Sequence, residues 1–130
     1  MINIIKKINP FNFLRVGMGL MYLYSGYDLI FNPQHWYGFV PHWFYEVISQ
    51  FISTEGYLRI QGLGELAIGI LFLCLFNKTW TVQIAALLAV VEMALILLFI
   101  GVDPITFRDI GLLGGALALL TFSLQHRGTK

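Results

Sequence analysis

Hydrophobic positions along this chain gather into four long runs separated by short polar breaks. Residues 11–31, 57–76, 80–100 and 104–124 are each predominantly apolar over about 20 positions, the length at which a helix rising about 1.5 Å per residue crosses a hydrocarbon core of about 30 Å. The pattern predicts an all-α fold, an integral membrane four-helix bundle forming a single domain over residues 1–130. The breaks Asn77-Lys78-Thr79 and Gly101-Val102-Asp103 are short, so the second, third and fourth runs should be antiparallel neighbours. Asp103-Pro104 supplies an N-cap and a proline at the first helical position.

The break between the first two runs, residues 32–56, is long for a small bundle. It has its own period. In VPHWFYEVISQFIS, the residues Trp43, Phe44, Val47, Ile48, Phe51 and Ile52 recur at helical spacing, with His42, Glu46, Ser49, Gln50 and Ser53 on the other face. This predicts an amphipathic helix in the outer membrane interface, with Trp36, Tyr37 and Trp43 at headgroup level. Such a segment either caps the bundle or forms a lid over a ligand site.

Composition agrees with a bilayer as solvent: 58% of residues are hydrophobic and 12% charged, against about 25% charged in soluble domains. No cleaved signal peptide is expected, since an aromatic-rich segment follows the first run with no small-residue cleavage site. The lone Cys74 excludes an internal disulfide, a cysteine metal site and a CxxC redox pair within one chain. The net charge of +1, with cations scattered along the sequence, excludes a basic face for nucleic acid. Nucleophile triads, phosphate loops and zinc signatures are absent. His35, His42 and His126 all lie outside the runs, so neither a bundle-held haem nor a metal site is expected.

Lys6, Lys7, Lys78, Arg127 and Lys130 fall on one side of the runs. Asp28, Glu46, Glu55 and Asp103, with Arg59, fall on the other. The excess of cations near the span ends places both termini in the cytoplasm.

The candidate functional residues are the charges inside the runs. Counting helical rise puts Glu65 and Glu92 each about 12 Å below the outer membrane face, Arg108 and Asp109 about 6 to 8 Å below it, and Arg15 about 6 Å from the inner face. Helical side chains lean toward their own N-terminus. Glu65, Arg108 and Asp109 therefore lean outward, while Glu92 and Arg15 lean inward. The ion pair expected from this is Glu65 with Arg108, with Asp109 and Arg59 as further partners and Glu92 outside the layer. Such a pair is either a staple fixing helix register or part of a ligand or proton site. Arg15, Gly19, Tyr22 and Gly26 share one stripe of the first run, and Gly62, Glu65 and Gly69 one stripe of the second. Gly111 with Gly115, and Gly114 with Ala118, repeat the pattern in the fourth. All are expected at close helix contacts.

Three segments together resemble the DoxX family of small four-helix membrane proteins. LRVGMGLMYLYSGYDLIFNP is similar to the family's opening helix through Arg15, Gly17 or Gly19, and Gly26. GLGELAIGILFL is similar to its Glu-centred helix, with the acid at Glu65. FRDIGLLGGALALL is similar to its last helix, at Arg108 and Asp109. The resemblance spans residues 13–120, with one departure: many members carry a Lys after the outer Gly of the first helix, where this chain has Asp28. It implies a bacterial inner-membrane, multi-pass protein, a small subunit or anchor of a redox complex with a redox protein as partner and a quinone as candidate cofactor. Two other readings fit the same residues: a structural membrane protein without ligand, and a small transporter or proton path through Glu92 and Glu65 that would need self-association into a homo-oligomer.

Overall fold

The structure, a computed structural model, describes residues 9–74 and 79–126. Lys6, Lys7, Lys78, Arg127 and Lys130, which carry the orientation expectation, lie outside the described residues, as does most of the break around Asn77. Among the described residues every regular element is helical: α1 Pro10–Phe31, a 3₁₀ segment Pro33–Phe39, α2 His42–Ile48, α3 Thr54–Leu73, α4 Thr79–Phe99 and α5 Phe107–Gln125.

Local chemistry sets the helix starts. Asn9 accepts a hydrogen bond from Phe11 N, and Pro10 fills the first position of α1, where a missing N–H costs nothing. Ser53 Oγ accepts from Gly56 N at 3.1 Å to start α3. Before α5 the cap is reciprocal. Asp103 Oδ1 accepts from Ile105 N and Thr106 N at 2.7 Å each, while Asp103 N donates to Thr106 Oγ1 at 2.8 Å. The expected cap at Asp103 is thus present, but Pro104–Thr106 form a turn and the regular helix begins at Phe107. Gly101 turns the chain there with φ of 85°, the left-handed region that favours glycine.

Helices α3, α4 and α5 are long and apolar enough to cross a membrane. α1 has the length, 22 residues, but Arg15, Asp28 and three tyrosines dilute its apolar character. Its place is set by packing: α1 lies along α3, α4 along α5, and contacts of α3 with α4 and α1 with α5 join the two pairs. The closest approach is between α1 and α3. A Cβ on Gly26 would fall 2.7 Å from Gly62 O, and one on Gly62 would fall 2.8 Å from Gly26 O. One heptad along, a Cβ on Gly69 would meet Leu23 N at 2.9 Å. The glycine stripes of the first two runs therefore face each other, backbone to backbone.

On α5 the expectation is corrected. Gly111 and Gly114 face open space, and only Gly115 approaches a neighbour, with Leu14 3.4 Å from where its Cβ would stand. The interior is closed instead by Ala85, Ala86 and Ala89 of α4 against Met18, Tyr22, Phe72, Ala116 and Leu119. Near the end of the bundle remote from the 3₁₀ segment, Gln83 Nε2 donates to Ser123 O at 3.1 Å and ties α4 to α5. Large apolar side chains such as Leu63, Ile70, Leu87, Leu98 and Ile110 point outward around the bundle. Such a face suits hydrocarbon.

The long connection packs over one end of the bundle. Asp28, near the end of α1, accepts from Asn32 Nδ2 at 2.9 Å and Trp36 Nε1 at 2.9 Å, and His35 Nδ1 lies 3.1 Å from its Oδ2. Phe44 packs on Tyr57 and Trp43 on Phe99, with ring centroids 4.9 and 5.8 Å apart. The apolar face expected of this segment is split. Phe44, Ile48 and Ile52 turn toward the bundle, while Trp43, Val47 and Phe51 stay exposed.

Candidate functional site

The polar interior is built from three helices. α1 contributes Tyr22 and Ser25, which are three residues apart and so share a face. α3 contributes Gln61 and Glu65, four apart on the face that carries Gly62 and Gly69. α4 contributes Glu92 from the edge of its alanine face. Glu65 is 7% exposed and Tyr22 fully buried. Gln61 Nε2 donates to Glu65 Oε1 at 3.4 Å, and the Ser25 hydroxyl also faces Glu65. Glu65 and Glu92 are electrostatic neighbours, and the Tyr22 hydroxyl is directed at Glu92. Asp109 of α5 is near enough to act on Glu92 through space. Yet Tyr22 Oη and Glu92 Oε2 are both buried without a hydrogen-bond partner.

This arrangement corrects the pairing expected from the sequence. Glu65 makes no ion pair with Arg108, whose Nε donates to Ile105 O in the turn before α5 while its side chain is exposed. Arg59 pairs with Glu55 one turn earlier on its own helix. Arg15 lies toward the other end of α1, half-buried with its Nε unpartnered. Glu92, expected to lean away, is instead a member of the group.

Rotation about the helix axis explains the difference. The buried positions of α5, Ala116, Leu119 and Ser123, extend back through Leu112 to position 109, so Asp109 faces inward and Arg108 is turned about 100° away. Depth alone does not see this.

Tyr22, Ser25 and Gln61 are the members that charge counting passed over. The signals for them were present: Gln61 stands one turn from Glu65, and Tyr22 lies on the glycine stripe of α1. The chain matches no family model, no curated protein and no solved structure. Its function is therefore argued from this group of side chains.

Chemically, the group offers three neutral donors, two carboxyls with a third acid beside them, and no cation among its described members. Two uncompensated negative charges do not survive side by side away from water. The described residues hold no set of three His, Cys, Asp or Glu able to bind a metal ion; His35 is committed to Asp28 and His42 to Glu46. Two open grooves lie elsewhere, under the connection. One of about 390 Å³ is lined by Phe39, Trp43, Phe99 and Asp103, and one of about 550 Å³ by Tyr37, His42, Tyr45 and Glu55. Neither is lined by Glu65 or Glu92.

Proposed function

We propose that this chain is a DoxX-like integral membrane protein whose four long helices all cross the bacterial inner membrane, with both termini cytoplasmic, and that it serves as a small subunit or anchor of a redox complex linked to quinone. One observation carries this reading: Tyr22, Ser25, Gln61, Glu65 and Glu92 form a polar group with two acids inside a mainly apolar bundle. Ionisable groups at membrane depth are costly, by about 2.5 to 3.5 kcal/mol on insertion scales, and mark ion, proton or ligand sites. A quinone head presents two carbonyl oxygens that take hydrogen bonds and exchange protons when its redox state changes. Tyr22, Ser25 and Gln61 supply the donors, and the two carboxyls supply groups that give and take protons. The salt-bridge staple loses its support, since no cation among the described residues pairs with Glu65.

The test is purification in mild detergent at native expression, followed by identification of co-purifying proteins and extraction of lipids. A redox protein and a stoichiometric quinone are expected, with the quinone reduced severalfold in Glu65→Gln. A chain that brings down neither, or a Glu65→Gln variant that retains all its quinone, overturns the respective half of the proposal.

A further inference from the structure

The group around Glu65 contains more than a quinone reading requires. Tyr22 is fully buried and its hydroxyl, pointed at Glu92, has no partner; Glu92 Oε2, buried on the facing helix, has none either. An unpaired buried hydroxyl is costly, and an unpaired buried carboxyl oxygen more so. Both are relieved when Tyr22 Oη donates to Glu92 Oε2, which it does best when that carboxyl carries the charge.

The donors and charges around the pair bear on how many protons it holds. Tyr22, Ser25 and Gln61 are three donors, enough to hydrogen-bond one carboxylate. A second negative charge beside the first finds no cation. The titratable and charged groups facing the pair are Tyr22 on α1, Tyr57 on α3 and Asp109 on α5, where Arg108 adjoins Asp109 but is turned outward. Among the described residues the inward-turned cation is Arg15, seven positions and about 10 Å from Tyr22 toward the other end of α1, so none of the groups facing the pair brings positive charge. With two protons the donors meet only neutral carbonyl oxygens, weaker acceptors than a carboxylate; with none the two charges repel.

We propose that Glu65 and Glu92 share a single exchangeable proton within the bundle, positioned by the hydroxyl of Tyr22. The pair is then a proton-holding site, and a cofactor or partner whose redox state changes would draw on that proton. The inference rests on the membrane placement above, and not on a quinone or any particular partner being bound.

Dicyclohexylcarbodiimide adds across the O–H of a protonated carboxyl in apolar surroundings and leaves a carboxylate unmodified, so it counts the protons. The full chain in phosphatidylcholine vesicles is treated with the reagent near neutral pH and mapped by mass spectrometry. One adduct per chain is expected, divided between Glu65 and Glu92, and lost when the medium is made alkaline. In Glu65→Gln the yield on Glu92 should fall severalfold, because a neutral amide no longer makes a second charge unfavourable. Glu92→Gln should do the same to Glu65.

Tyr22→Phe keeps the ring that packs the core and both carboxyls, so it tests the site where a Gln variant fails to fold; the adduct should shift from Glu65 toward Glu92. Two adducts on one chain, no adduct at any pH, unchanged yield in the Gln variants, or loss of the adduct on adding sodium at constant pH each overturns the shared proton. Failure to recover quinone or partner would leave these results unchanged, so the two proposals fail separately.

Discussion

Gly62 and Gly114 are the same residue type in similar helical surroundings, yet their neighbours make opposite demands. At Gly62 a Cβ would stand 2.8 Å from the Gly26 carbonyl oxygen and from Leu29 Cβ, and backbone cannot step aside as a side-chain end can. Gly62→Ala should therefore lower stability by about 1 to 3 kcal/mol. At Gly114 nothing lies within 4 Å, so Gly114→Ala should leave stability unchanged or raise it by up to about 1 kcal/mol through helix propensity. Denaturant titration of helical circular dichroism in detergent distinguishes the two. The sequence shows both glycines at helical spacing from other small residues; it does not show which stripe meets another backbone. That depends on which helices end up adjacent, and the strongest pairing here, α1 with α3, joins runs separated by the long connection.

Among the elements, α5 owes its start to Asp103. The N–H groups of Thr106 and Ile105, which donate to its carboxylate, hold that carboxyl below the ordinary range. A carboxyl lowered on folding contributes stability that is fully present above its unfolded value, about 3.9, and is lost as pH falls through the folded value. The unfolding midpoint of the protein should thus fall as the medium is acidified below about pH 4. In Asp103→Ala the midpoint should start lower at neutral pH, and this acid-dependent part of its decline should be missing.

This cap was legible in the sequence because it is local: Asp, Pro and Thr within four positions determine it. The helix boundaries were legible for the same reason, within a few residues. The partners of Glu65 were not, because they depend on the rotation of three helices about their own axes, and a one-residue offset on α5 exchanges Arg108 for Asp109.

At the scale of the whole molecule, the approach of Gly26 to Gly62 bears on how the protein is made. α1 leaves the ribosome first, and it is the least apolar of the four long helices, carrying Arg15 and Asp28. The surface that accommodates it, the glycine face of α3, is synthesised about 40 residues later, a separation set by the connection. On the membrane placement proposed above, α1 dwells at the edge of the translocon until α3 arrives, and its integration is post-delayed assembly rather than partition into lipid. A nascent chain ended at residue 50 should be extracted from membranes by alkaline carbonate, whereas one ended at residue 78 should resist it. In the longer chain α3 is itself an anchor, so the seat is read from α1 alone: in a Cys74→Ala background, Gly62→Leu should raise severalfold the labelling of Leu20→Cys in α1 by a membrane-impermeant maleimide.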